Sequence, residues 1–155
     1  RLSRTGEPIL YKKDYKFEIG KAVRMRSGND ITIIGYGPIL GRALVAAEEL
    51  DREGISVEVI NMHTLKPLDQ RAITRAAKTT GALVSLEEHS IVGGLASAIP
   101  EVIVRNRLNV PFNPIALEDR FLTNYGKQTD ILDMLGFSVA DVKRVIKRTF
   151  LQKRK

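Results

Sequence analysis

Glu87, Glu88 and His89 stand together at the end of a short apolar run, Ala82-Leu83-Val84-Ser85-Leu86, and are followed by Gly93-Gly94 and an apolar-periodic stretch. Two carboxylates beside an imidazole could serve general acid–base chemistry. Joined by His63, the other of the two histidines, they could hold a metal ion. Spacing works against both readings. Neighbouring residues at a strand end point to opposite faces, so Glu87 and Glu88 do not converge on one substrate. Neither an HxxxH nor an HxH pair is present. Gly35-x-Gly37 with Gly41 approaches a nucleotide fingerprint, but Leu40 stands where the third glycine belongs, and Pro38 removes an N–H that a phosphate would use. No acidic residue ends the following strand to meet a ribose, so the glycines read as a tight strand-to-helix turn. The nucleophile elbow GxSxG and the phosphate loop GxxxxGK[ST] are both missing.

The elements that position these residues follow from periodicity. Tyr15 to Ile19 alternates apolar and charged residues as a half-buried strand does, with Ala22 to Met25 as its continuation past Gly20. Ser27 to Asp30 is a turn. Ile31-Thr32-Ile33-Ile34 is a β-branched run suited to a strand covered on both faces. Leu40, Ala43, Leu44, Ala47 and Leu50 predict a helix over about 39–53, which Gly54 ends. Val57 to Ile60 is the next strand, and Asp69 caps a helix running to about Lys78. Ala82 to Leu86 is a third strand of this series and Pro114 to Leu117 a fourth. Between them a helix over about 92–106 contains Pro100, which should kink or divide it. A short helix over 130–135 precedes a final one, where Ser138 and Asp141 form a capping pattern.

Strands alternating with helices imply parallel βαβ units, and the expected product is an α/β helix–sheet–helix sandwich of about five strands. Every loop after a parallel strand then emerges on one edge. That rim collects Tyr36, His63, Glu87, Glu88, His89, Gly93, Gly94, Asp119 and Arg120. We read it as a surface serving a partner in preference to an autonomous site.

The bulk composition fits one soluble domain: 155 residues, 43% hydrophobic and 28% charged. Residues 1–14 read as a linker or arm, 15–150 as the domain and 151–155 as a basic tail. No apolar run is long enough for a membrane span and no leader is visible. The absence of cysteine excludes disulfides and thiolate chemistry and accords with a cytoplasmic setting. Because the first residue is Arg1, we expect an excised piece or a processed subunit. The net charge of +7 is local. Seven of the 25 basic residues lie between Lys143 and Lys155, and the remaining 18 balance 18 acidic ones. Only Phe150 is interleaved with that run, whereas single-strand binding wants stacking aromatics, so no nucleic-acid partner is expected.

Several segments, taken in order, resemble the carboxyl-terminal domain of transketolases, a family related to 1-deoxyxylulose-5-phosphate synthase and the β subunits of 2-oxo-acid dehydrogenases. Pro8-x-x-Tyr11 with Phe17-Glu18-Ile19-Gly20-Lys21-Ala22 is similar to the family's leading arm and edge strand. Asp30 to Gly37 is similar to its first glycine turn, and Val59 to Asp69 and Glu87 to Ala98 are close to the transketolase form. Asp119-Arg120-Phe121 with Gly126 resembles the last loop before the terminal helices. Ala96 departs from the pattern, where glycine is common. His63 and the Glu-Glu-His form favour transketolase over its two relatives.

The resemblance implies one antiparallel edge strand, assigned to the Phe17 segment, on an otherwise parallel sheet. It also implies a homodimeric whole enzyme of the pentose phosphate pathway, which uses thiamine diphosphate and Mg²⁺ to move two-carbon ketol units between sugar phosphates. In that family the cofactor lies between preceding domains, and the Gly-Asp-Gly motif that marks its site is missing from this chain. No residue here is therefore expected to be catalytic, to bind the cofactor or to hold the metal, and the isolated domain should be inactive. Its partners would be the cofactor-binding domains or subunit of the same enzyme. The reading from another class is an autonomous ligand-sensing or assembly module built on the rim around His63 and His89.

Overall fold

The computed structural model describes residues 10–11, 15–123 and 125–153. Arg1 to Ile9, most of the expected arm, and the last two residues of the expected tail lie outside the described residues. Among the described residues there are five strands and five α-helices, alternating from β2 to α4: β1 (Val23–Arg26), β2 (Ile31–Gly35), α1 (Leu40–Arg52), β3 (Val57–Asn61), α2 (Gln70–Thr80), β4 (Leu83–Ser90), α3 (Leu95–Arg105), β5 (Phe112–Leu117), α4 (Gln128–Met134) and α5 (Val139–Lys153). They form a single sheet in the order β1-β3-β2-β4-β5. The pairs β3–β2, β2–β4 and β4–β5 are parallel, and β1 runs antiparallel on β3.

Burial follows the pleat. Ile31 and Ile33 of β2 face a core shared with α1, α4 and α5, where Leu40, Leu50, Leu132, Val142 and Ile146 pack. Ile34 turns to the opposite face and joins Ile60, Ile73, Leu83, Leu95 and Ile99 beneath α2 and α3. The β-branched run is thus covered on both sides, and its one polar residue, Thr32, is buried with its hydroxyl bonded to Glu58.

The antiparallel edge strand is β1 and not the Phe17 segment. Residues 15–18 form no ladder, and Phe17 and Ile19 stay 59% and 70% exposed. Their alternation carries a strand pattern without a partner strand. Instead Gly20, at φ 79°, turns the chain so that residues 23–26 reach the β3 edge. The chain before this turn is still tied down. Leu10 packs against the α1-side core, Tyr11 stacks on Tyr15 at 4.2 Å, and the Phe17 ring lies 4.5 Å from that of His63.

β4 runs past Leu86 to Ser90, so Glu87, Glu88 and His89 belong to a strand end, with a register shift against β5 between Leu86 and Ser90. α3 begins at Leu95, later than periodicity suggests, because Gly93 adopts φ 85° and Gly94 is the N-cap. Pro100 lies inside α3 without dividing it. It removes one backbone donor, while Leu95, Ile99 and Val102 anchor the helix on both sides in the core. Both predicted caps form: Asp69 accepts from the Ala72 N–H at 3.0 Å, and Ser138 accepts from that of Asp141 at 3.2 Å.

Candidate functional site

The parallel strands β2, β3, β4 and β5 end on one edge, as the rim requires. The chain leaves β2 through α1 on one face and leaves β4 through α3 on the other. Between the ends of β2 and β4 lies the point where the winding reverses, the usual ligand crevice of an open α/β sheet.

Glu87 fills that point. Its side chain continues the face of Leu83 and Ser85 and is fully buried. Oε2 accepts from the Leu95 N–H at 2.9 Å and Oε1 from the Ala96 N–H at 2.7 Å. The Tyr36 hydroxyl, from the turn after β2, donates to Oε2 at 3.0 Å. The first free amides of a helix carry partial positive charge and favour an anion. Here the anion is the protein's own carboxylate, standing where a ligand phosphate would sit in a nucleotide-binding relative of this architecture. Glu87 is thus a helix-capping group that closes the crevice.

The neighbouring residues do not assemble a reactive cluster. Glu88 turns the other way and accepts from Gln128 Nε2 at 2.7 Å, tying the strand end to α4. His89 is exposed, its Nδ1 at 2.9 Å from the Ser90 carbonyl. His63 sits at the end of β3, with Nδ1 2.9 Å from Thr64 Oγ1 and the Phe17 ring over it. Its Nε2 is buried with no hydrogen-bond partner among the described residues. Beside it, Asn61 donates to the Tyr11 hydroxyl at 2.7 Å, and burial pushes the Tyr11 phenol above its ordinary pKa. Gly93 donates its N–H to Ser97 Oγ at 2.9 Å. Asp119 is exposed, and Arg120 pairs with Glu118 at 2.7 Å. Among the described residues no three His, Cys, Asp or Glu side chains gather to hold a metal ion. With Glu87 committed to α3 and Glu88 to α4, this rim does not fit a pyrophosphate–metal group.

Apolar exposure is what the rim offers instead. Phe121 and Tyr125, in the segment after β5, are 97% and 96% exposed. Val92 and Ile91, after β4, are 61% and 41% exposed, and the Ile91 N–H donates to the Leu117 carbonyl at 2.7 Å, which holds the two loops together. Single exposed apolar residues are ordinary; here four stand on two loops joined by a backbone hydrogen bond.

Two features escaped the sequence reading. Glu58 lies in the middle of β3 and is 2% exposed, pairing with Arg75 Nη2 at 2.9 Å and accepting from Thr32 at 2.8 Å. A charged residue inside an otherwise apolar strand is the signal that could have found it. The second is a cationic groove between β1 and α2.

Comparison with known proteins gives one consistent family. The model described as transketolase, C-terminal domain, matches residues 20–142. The chain is 41% identical over 132 residues to the 6-deoxy-6-sulfo-D-fructose transketolase subunit SqwH of a Clostridium species, covering 83% of this chain and 41% of that protein. It is 34% identical to mouse transketolase-like protein 2, covering 98% of this chain and 24% of that protein. A split-gene transketolase, solved as an inactive β4 tetramer, superposes with a TM-score of 0.89 at 33% identity over 97% of this chain and 49% of that one. The chain therefore spans less than half of the length of each of these relatives. It belongs to the transketolase family, as a transketolase C-terminal domain.

Proposed function

We propose that this chain supports and dimerises a thiamine-diphosphate- and Mg²⁺-dependent transketolase, which transfers two-carbon ketol units between sugar phosphates, and that it is inactive alone. The observation that carries the reading is the closed crevice. Glu87 satisfies the α3 amides from within, so the place where an α/β sheet ordinarily takes a ligand is occupied by the protein itself. The exposed Ile91, Val92, Phe121 and Tyr125 on the same rim suit burial against the cofactor-binding portion of the enzyme or against a second protomer. His63, Glu88, His89, Gly93, Asp119 and Arg120 then serve as packing and contact residues of that surface, with Gly94 and Glu87 shaping it from below. Cytoplasmic work in the pentose phosphate pathway as a homodimer belongs to the same reading. The relatives described as a subunit and as a split-gene enzyme support an assembly in which cofactor binding and this domain lie in separate parts.

Reconstitution tests this. The chain is mixed with a transketolase portion that carries the Gly-Asp-Gly motif, and ketol transfer is assayed. Activity only in the mixture is expected. Ketol transfer by this chain alone would overturn the reading.

A further inference from the structure

The groove between β1 and α2 is lined by Lys21, Arg24, Asp69, Arg71 and Arg75, and encloses about 490 Å³, within the range of small-molecule sites. On α5 three cations are matched by carboxylates: Lys143 pairs with Glu49 and Glu53, Lys147 with Glu53, and Arg144 with Asp141. In the groove Arg75 is matched by the buried Glu58, but the side chains of Lys21, Arg24 and Arg71 have no hydrogen-bond or ion-pair partner among the described residues. The one carboxylate present is already engaged, since Asp69 Oδ1 accepts from the Ala72 N–H and Oδ2 accepts from the Ala22 N–H at 2.9 Å.

Exposed cations on an edge strand have an ordinary explanation, because they keep foreign strands from pairing. That covers Lys21 and Arg24. It does not cover Arg71, the second residue of α2, in a first turn that holds no acidic side chain. A cation there opposes the helix dipole and costs the fold stability. A residue that weakens its own helix while facing two other unmatched cations across a groove is explained by a ligand.

We propose that this groove is a binding site for a small phosphate-bearing anion, held by Lys21, Arg24 and Arg71. Guanidinium groups suit the planar, multidentate recognition of phosphate oxygens. The site lies at the β1 edge beside the carboxyl end of β3, where Val23 pairs with Asn61 and Arg24 with Ile60, and takes no part in the proposed ketol transfer.

The test is isothermal titration of the full 155-residue chain with inorganic phosphate, glucose 6-phosphate and glucose at low salt. Both phosphates are expected to bind and glucose to give no heat. Tighter binding of the ester identifies an organic phosphate as the occupant, and equal binding identifies free phosphate. Arg24→Gln and Arg71→Gln should each weaken binding about tenfold or more. Without ligand, Arg71→Gln should raise the melting temperature, whereas loss of an arginine that stabilises the fold would lower it. Lys147→Gln on α5 should leave phosphate affinity unchanged. Absence of phosphate heat in the wild-type chain, or affinity unaltered by both groove substitutions, would overturn the proposal.

Discussion

The Glu87 carboxylate and Gly94 share one volume: a Cβ built on Gly94 would lie 2.1 Å from Glu87 Oε2 and 2.7 Å from the carboxyl carbon. Gly94 has φ −99°, which any residue adopts, so space and not backbone freedom requires glycine here. Gly93, at φ 85°, needs glycine for the opposite reason. The double glycine is thus two separate demands side by side, and both serve to bring the α3 amides onto one carboxylate.

Gly94→Ala should destabilise the domain by about 2–4 kcal/mol, because either the methyl or the carboxylate must move and two charge-assisted hydrogen bonds are lost. Glu87→Ala should cost a similar amount. In the double variant the second loss should shrink by roughly 1 kcal/mol or more, since the clash no longer exists. Urea denaturation of the four proteins measures this, and additive losses would contradict the shared volume.

Glu58 gives a second stability test. Arg75→Met leaves a buried carboxylate supported by Thr32 alone and should cost about 1–2 kcal/mol, an amount reduced by the 41% exposure of the Arg75 side chain. Pairing it with Glu58→Leu should recover part of that loss, because no stranded charge remains. A double variant less stable than Arg75→Met by chemical denaturation would show that the pair is net stabilising.

The acid limb of the stability curve should carry the signature of Asp141. The Ser138 hydroxyl, and then the Arg144 guanidinium, hold its carboxyl below the ordinary carboxylate pKa. A depressed folded-state pKa means stability that is full at neutral pH and is lost as pH falls through the carboxylate range. Glu53, lowered by Lys147 and Lys143, acts in the same direction. Lys143, raised by Glu49 and Glu53, keeps its contribution at neutral pH and loses it only in strong alkali. Melting temperatures of Asp141→Asn between pH 7 and pH 3 should therefore fall less steeply than those of the wild type. Parallel curves would contradict the assignment.

The rim makes a prediction that stability measurements would miss. Phe121→Ser with Tyr125→Ser should leave the unfolding free energy within about 0.5 kcal/mol of the wild type, as exposed substitutions do. The same variant should associate at least tenfold more weakly with the cofactor-binding portion, as loss of buried aromatic anchors implies. Analytical ultracentrifugation of the mixture reads this, and unchanged association would remove these two residues from the interface.

Much of this was legible in the chain. Ile31 to Ile34 announces a doubly covered strand, and Asp69 and Ser138 announce helix starts, because each pattern depends on local chemistry. The Phe17 segment misleads because alternation reports a suitable surface and not the presence of a partner strand; the β3 edge is taken by Val23–Arg26. The rim residues were identifiable from topology, but their roles were not. That Glu87 turns inward to α3 while Glu88 turns to Gln128 depends on contacts with residues 8 and 40 positions away, which no local pattern encodes. The groove was hidden for the same reason, since Arg24 and Arg71 meet only in the folded chain.

The most direct test of the account is titration calorimetry of this chain with thiamine diphosphate in the presence of Mg²⁺. A domain whose crevice is closed by Glu87, and whose enzyme keeps its cofactor elsewhere, should give no heat. Saturable binding at micromolar concentration would contradict it.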